Sequence, residues 1–268
     1  MLTLIRLTLR RARQERLPQV AGSLAFTTLL CIVPLLAVSF ALFTRFPIFN
    51  RFEAALEQHL LSGLLPADIA RTVLRLLHQF AANAGGLTWA GSAFLLAAAV
   101  ALLWTVEREL NQMWNVRRSR PWAKRIGMYL LILALGPPAL GLSLWATSTV
   151  VGASLGWLGP LPPSAAFVLN LGPLALSCVG LACLFYFVPN TQVRRRDAIV
   201  GGLIAAAALE LGKRGFAAYV LKIPTYKAVY GAFAAFPVFL LWLYFSWLVT
   251  LAAALVAANL GRVGSRSP

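Results

Sequence analysis

Residues 126–193 read IGMYLLILALGPPALGLSLWATSTVVGASLGWLGPLPPSAAFVLNLGPLALSCVGLACLFYFVPNTQV, and these 68 positions contain no Asp, Glu, Lys or Arg. A membrane-spanning helix needs about 20 apolar residues, so the segment is long enough for two spans and the turn between them. The whole chain is similar in character: 60% of its 268 residues are hydrophobic and 12% are charged, whereas soluble domains carry about 25% charged residues. The composition predicts an all-α, polytopic bundle of membrane helices.

Apolar runs and the loops between them predict six spans within one integral membrane domain, residues 1–268. The predicted spans are about 21–43, 87–106, 127–151, 166–188, 198–220 and 234–258. Two further segments are amphipathic. Residues 1–18 place Leu2, Ile5 and Leu9 on one helical face and arginines on another, which is typical of a helix on the cytoplasmic surface. The pattern of residues 45–86 predicts amphipathic helices that do not cross the membrane and either lie on its outer face or cap the bundle.

The basic residues lie beside the apolar runs. Of the 24 Lys and Arg, 16 fall in the N-terminus, the tail and the loops 107–125 and 189–197. The positive-inside rule therefore predicts a multi-pass protein of the bacterial inner membrane with both termini in the cytoplasm. In a soluble protein the net charge of +16 would indicate nucleic acid, but the topology accounts for this distribution. Membrane lipids are the predicted partners, with no nucleic acid and no particular oligomeric state.

The loop 107–125 has two interpretations. Its basic residues contact anionic lipid headgroups, each contributing about 1 kcal/mol near the surface, or they serve only as a topology signal. The residues predicted at the headgroups are Arg117, Arg118, Arg120, Lys124 and Arg125.

The stretch LELGKRGFAAY, residues 209–219, places three charges within a helical turn after twelve uncharged positions. The charged residues are Glu210, Lys213 and Arg214. Glu210 lies about 20 Å along the predicted span from Asp197, at 1.5 Å per residue. A charge at that depth is expected to face the bundle interior and to be paired, here at i,i+3 or i,i+4. Either the pair locks helix packing, or the turn binds an anionic headgroup or a proton through its one surplus positive charge.

Prolines are predicted to break the helices, since each removes a hydrogen bond to the residue four positions earlier. The predicted breaks are Pro34, Pro137, Pro138 and Pro237. Two interpretations are open: simple kinks, which are common in spanning helices, or a polar cavity at mid-membrane, as in transporters.

No sequence pattern supports catalysis. The chain has no Walker loop, dinucleotide fingerprint, HExxH or nucleophile elbow. Its eight acids are dispersed, and Glu107 and Glu109 point apart on a helix. Cys31, Cys178 and Cys183 lie within apolar runs as small hydrophobic residues. We therefore expect no enzyme, no cofactor and no metal site.

Several segments resemble the YihY/virulence-factor BrkB family of bacterial inner-membrane proteins. They are AGSLAFTTLLCIVPLL (21–36), LNQMWNV (110–116), RPWAKRIGMYL (120–130), FVPN (187–190), LELGKRGFAAYV (209–220) and YKAVYGAFAAFPVFLLWLYFSWLVTLAAAL (226–255). Two features depart from the family pattern. Phe26 and Cys31 stand where Tyr and Ser are usual, and LAAALVAA replaces a segment that often carries Gly-Ala-Glu.

The resemblance implies a six-span inner-membrane protein of a family once labelled a ribonuclease, with suggested links to envelope integrity and lipid export. The polar positions that it carries over are Asn111, Trp114, Arg120, Arg125, Tyr129, Glu210, Lys213, Tyr219, Tyr230 and Gly231. The intramembrane polar site is accordingly predicted to include Tyr219 and Tyr230 beside the charged turn. The first functional hypothesis is a transporter or flippase for an anionic envelope lipid. The alternative is a non-transporting structural or interaction protein of the cell envelope, and a nuclease lacks the necessary acids and histidines.

Overall fold

The structure, a computed structural model, describes residues 2–43, 89–116, 118, 120–136, 138, 163–221 and 235–264. These residues form seven helices and no strand, which confirms the all-α prediction for this part of the chain. The helices are α1 (Leu2–Gln14), α2 (Leu17–Phe43), α3 (Trp89–Met113), α4 (122–136), α5 (Pro163–Phe187), α6 (Arg195–Leu221) and α7 (Ala235–Gly264).

Helices α2 to α7 fall on the six predicted spans. Two of them contain a segment long and apolar enough to cross a membrane, Leu17–Ser39 and Phe236–Arg262. Leu174–Phe187 in α5 is a shorter apolar helix. The count of six spans stays a prediction. The amphipathic helices predicted within 45–86 lie outside the described residues, as do residues 139–151 of the third span.

Several side chains depart from the burial pattern of a soluble domain. Phe26, Leu30 and Val33 of α2 are each more than half exposed, whereas Glu107 and Asn259 are fully buried. Large exposed apolar side chains and buried polar ones are the informative deviations from ordinary burial. Here they indicate helices that face hydrocarbon and place polar groups against each other.

Glycines let α6 approach its neighbours closely. A Cβ atom on Gly201 would lie 2.8 Å from the Ala257 Cβ of α7, and one on Gly202 would lie 2.8 Å from the backbone of Ala182 and Cys178 in α5. No real Cβ tolerates such distances, so both positions need glycine for packing. Small residues at helix crossings allow the van der Waals contact that holds membrane helices together.

The chain forms two compact units. The first contains residues 1–30, 102–120 and 177–268, and the second contains residues 31–101 and 121–176. In the second unit, Tyr129 and Leu133 of α4 are buried. The contacts of Arg11 and Arg120 and the charged turn of α6, described below, lie in the first unit.

The structure places the predicted helix breaks as follows. Pro34 lies inside α2, and the helix continues beyond it to Phe43. Pro237 lies in the first turn of α7, where a missing N–H leaves no intrahelical bond unmade. It therefore interrupts no hydrogen bond within the described helix Ala235–Gly264. Pro138 is helical, and Pro137 lies outside the described residues.

Candidate functional site

A buried arginine joins the first and last helices. Arg11 of α1 is 6% exposed, and its guanidinium donates to Asn259 Oδ1 of α7 at 2.7 Å and to the Met113 carbonyl at 2.9 Å. Asn259 in turn donates from Nδ2 to the Thr8 hydroxyl at 3.1 Å. Glu15 lies 3.8 Å from Arg11 and supplies the opposite charge. Because a charge removed from water needs such partners, polar side chains join α1 to α7 here.

Helix α1 has three faces, one more than its sequence predicts. Thr8 and Arg11 of α1, with Glu15 just beyond its end, follow the spacing i, i+3, i+7 and form the polar face that packs inward. Leu9, on the predicted apolar face, is 60% exposed. Three arginines of the third face are also exposed: Arg6, Arg10 and Arg13. On a membrane surface, Leu9 would enter the lipid while these arginines reach the headgroups.

The end of α3 is capped by its own asparagine. Asn115 has φ 55°, a left-handed conformation that asparagine adopts more readily than most residues. The N–H of Val116 donates to the Asn111 carbonyl, and the N–H of Asn115 donates to the Gln112 carbonyl, both at 2.9 Å. These two bonds are the Schellman pattern, which satisfies carbonyls at a helix end.

Two motifs that are distant in sequence meet at this end of α3. The side-chain oxygen of Asn111 accepts a hydrogen bond from the backbone N–H of Asn190 at 2.7 Å. Asn190 also donates from Nδ2 to the carbonyl of Arg118 at 3.0 Å. The segments LNQMWNV and FVPN thus hold the loop after α5 against the end of α3.

Arg120 is directed toward the carboxyl end of α5. Its Nη2 lies 3.1 to 3.3 Å from three carbonyls, those of Phe187, Val188 and Pro189. Its Nε lies 3.8 Å from Oε1 of Glu107, a residue that is 1% exposed. The last carbonyls of a helix are partially negative and favour a cation. The sequence predicts Arg120 at lipid headgroups, but its side chain is only 13% exposed, so it serves these internal contacts instead.

Burial changes two pKa values in this region. Burial and the neighbouring charge of Arg262 lower the pKa of Arg11, while Glu15 raises it. Burial raises the pKa of Glu109, which lies just beyond the predicted span 87–106, and Arg108 opposes this increase while Glu15 adds to it. Loss of hydration disfavours the charged form of either group.

The charged turn of α6 forms an ion pair that faces partly outward. Nζ of Lys213 lies 2.5 Å from Oε2 of Glu210, the i,i+3 partner. The side chains are 48% and 33% exposed, respectively, and Arg214 is also exposed. The sequence predicts that these charges face the bundle interior, but Gly212 occupies the inward side of the turn, where an added Cβ would overlap the Phe245 ring of α7.

Aromatic side chains lie beside the charged turn. The ring centroid of Phe216 lies 5.4 Å from that of Trp242 and 6.2 Å from that of Tyr219, and Trp242 lies 5.8 Å from Phe245. These distances are typical of favourable ring contacts. Tyr219, predicted at the polar site, is exposed at the edge of this cluster. Tyr230 lies outside the described residues.

The other predicted headgroup residues are placed differently from Arg120. Arg118 and Lys124 are exposed. Arg125 lies over the Trp122 ring at 5.4 Å from its centroid, a cation–π contact, and Trp122 itself is largely exposed. Arg117 lies outside the described residues. Tryptophan with adjacent cations is typical of the membrane–water interface.

Sequence reasoning misses two buried polar contacts, the hydrogen bond of Arg11 with Asn259 and the approach of Arg120 to Glu107. Asn259 could have been identified from the sequence, because it is the single amide side chain in the charge-free run 228–261. Arg11 differs from the arginines around it only by sharing a helical face with Thr8 and Glu15. Within the described ranges, no three His, Cys, Asp or Glu side chains converge as they would to hold a metal ion.

The family model for Virulence factor BrkB matches residues 8–267 of this chain. Among curated proteins, the chain is 51% identical to a UPF0761 membrane protein of Ralstonia nicotianae over 255 residues. It is 47% identical to one of Janthinobacterium and 46% identical to one of Paraburkholderia xenovorans. These matches cover 95%, 94% and 93% of this chain but 58% of each relative, so the chain spans little more than half their length. No solved structure matches it.

Proposed function

This chain belongs to the virulence factor BrkB family of membrane proteins, and we propose that it moves an anionic envelope lipid across the bacterial inner membrane. The observation that carries the proposal is the partly exposed charged turn of α6, with Glu210, Lys213 and Arg214 following twelve uncharged residues. The proposal takes α6 as a span, so that the turn lies within the hydrocarbon.

Exposed charges at that depth require a polar neighbour. A charged side chain inside the hydrocarbon is costly unless it is paired, and charged side chains in spans commonly mark substrate pathways. The headgroup of an anionic lipid would supply the opposite charge to Lys213 and Arg214. The aromatic cluster around Phe216 and Trp242 offers an apolar surface for the rest of the lipid.

The cytoplasmic end of α6 provides a place to collect such lipids. Exposed arginines at its start are followed, about 27 Å further at 1.5 Å per residue, by Lys213 of the charged turn. The arginines are Arg194, Arg195 and Arg196. Each basic residue near a membrane surface attracts anionic lipid by about 1 kcal/mol. One helix would therefore present cations both at the surface and within the membrane.

Reconstitution tests the proposal. Liposomes containing the protein and fluorescently labelled phosphatidylglycerol are treated with a membrane-impermeant quencher, and the rate at which inner-leaflet lipid becomes accessible is measured with and without an imposed proton gradient. We expect wild type to speed this exchange. The triple variant Glu210→Gln, Lys213→Met, Arg214→Leu should fold but lose the activity.

The control is Arg13→Gln, which removes one exposed charge from α1, far in sequence from the charged turn. It should retain most of the exchange rate. Absence of exchange by wild type under both conditions, or full activity of the folded triple variant, would contradict the proposal.

A second candidate, a non-transporting structural or interaction protein of the envelope, is favoured by the closely satisfied contacts of Arg11 and Arg120. It treats the Glu210–Lys213 pair as a packing element only. Under that function, Glu210→Gln alone should destabilise the protein, because removing one partner leaves an uncompensated charge. The triple variant should then be as stable and as functional in cells as wild type.

A further inference from the structure

We infer that the charged turn of α6 selects lipids whose headgroup carries one net negative charge. The inference rests on the proposed function and specifies the substrate class for the same site. Its basis is the balance of charges around the turn.

Among the residues that the structure describes, the charge of the turn is plus one. Lys213 and Glu210 neutralise each other across 2.5 Å. Arg214 has no acidic partner within 4 Å among the described residues, so its charge is the surplus. The described parts of α6 before the turn and of α7 add nothing to this balance, because residues 198–209 and 235–261 are uncharged.

The low polarity around the turn makes its charge discriminate between lipid headgroups. Two unit charges attract by about 4 kcal/mol at 4 Å when the effective dielectric constant is 20, against about 1 kcal/mol in water. A headgroup with one negative charge would neutralise the site. A zwitterionic headgroup brings its own cation and would leave a net charge of plus one, and a polyanionic one would leave excess negative charge at the same depth.

The guanidinium also suits a phosphodiester. Its planar fork can donate two parallel hydrogen bonds to adjacent phosphate oxygens. Lys213 is 48% exposed and held at i,i+3, so it can remain on Glu210 while Arg214 binds the phosphate. The site therefore needs no rearrangement of the ion pair to accept a single phosphate group.

The test compares three labelled lipids in the liposome assay with matched acyl chains: phosphatidylcholine, phosphatidylinositol and phosphatidylinositol phosphate. The last carries an additional phosphomonoester of about −1.5 to −2 charge at pH 7. We expect wild type to move phosphatidylinositol at least about tenfold faster than either of the others.

Two variants change the surplus positive charge of the turn in opposite directions. Glu210→Gln raises it to plus two and should shift the ratio of rates about tenfold toward phosphatidylinositol phosphate. Arg214→Gln leaves the ion pair intact, lowers the surplus to zero and should abolish the preference over phosphatidylcholine. This second variant keeps the inference testable if Glu210→Gln does not fold.

The charge-conserving control exchanges the pair, Glu210→Lys with Lys213→Glu, and should keep the wild-type preference. Equal rates for all three lipids with wild type, or unchanged preferences in Arg214→Gln, would overturn the inference while leaving transport established. A wild-type protein that moves none of the lipids would overturn the proposed function itself.

Discussion

Arg11 and Asn259 lie 248 positions apart in the chain and are joined by a hydrogen bond of 2.7 Å at the junction of α1 and α7. Replacing Arg11 by Met would leave the Asn259 oxygen and the Met113 carbonyl without this donor. Hydrogen bonds to charged groups contribute about 1.5–3 kcal/mol, so we expect a loss of stability of that order. Thermal and denaturant unfolding in detergent, followed by tryptophan fluorescence, measures it.

The neighbouring Arg10→Gln is the matched control, because Arg10 is exposed on the same helix. It should change stability by no more than about 0.5 kcal/mol. Equal losses of stability from the two substitutions would mean that the buried contacts of Arg11 do not contribute to stability.

Arg120→Gln should be among the more destabilising changes in the loop 107–125. It removes the cation from the carbonyls of Phe187 to Pro189 and from the buried Glu107. Breaking a buried pair costs about 3–5 kcal/mol, and the double variant Glu107→Gln, Arg120→Gln should recover part of it. Arg118→Gln, at an exposed position, is the control and should have a small effect. Unfolding measurements on the two single variants and the double variant give the coupling energy of Glu107 and Arg120, and a value of zero would refute their pairing.

Gly202→Ala should lower the free energy of unfolding, whereas Gly180→Ala should raise it. A Cβ at Gly202 would lie 2.8 Å from backbone atoms of α5, so overpacking should cost about 1–3 kcal/mol. A Cβ at Gly180 meets nothing within 4 Å, and alanine favours a helix over glycine by up to about 1 kcal/mol. Unfolding measurements on both variants check this; a tolerated Gly202→Ala would mean that α5 and α6 are not in close contact.

The raised pKa of Glu109 predicts a pH dependence of stability. Burial makes the folded protein hold this proton more tightly than the unfolded chain does. The free energy of unfolding should therefore fall as pH rises from the ordinary carboxyl pKa through the raised one. Glu109→Gln should be more stable than wild type above that window and should lose this part of the slope. An unchanged slope in a pH series of melting temperatures would contradict the assignment.

The predicted membrane topology rests on the distribution of Lys and Arg. In a background lacking Cys31, Cys178 and Cys183, single cysteines at Ser119 and Ser265 should be shielded from an impermeant thiol reagent in intact cells. A cysteine at Asn83 should react. The reverse pattern would overturn the predicted orientation, and labelling of all three would overturn the span count.

The sequence by itself determined the class of this protein. The absence of charge over residues 126–193 indicates a segment that lies in the hydrocarbon of a membrane. This inference does not depend on how the helices pack, because the free energy of transferring a segment from water into the membrane is set by its composition. The helices around the predicted spans and the i,i+3 pair of Glu210 and Lys213 follow from local helical geometry. The family was also apparent from short motifs, and the family match confirms it.

Only the tertiary structure decided which polar groups are internal. Arg11 and Arg120 look like the surface arginines beside them, and their burial depends on Asn259 and on the end of α5, partners 248 and 67 to 69 positions away. The direction of the charged turn likewise depends on Gly212 meeting Phe245 of another helix. Periodicity defines the faces of a helix, but which face turns inward is decided by the side chains of its neighbours.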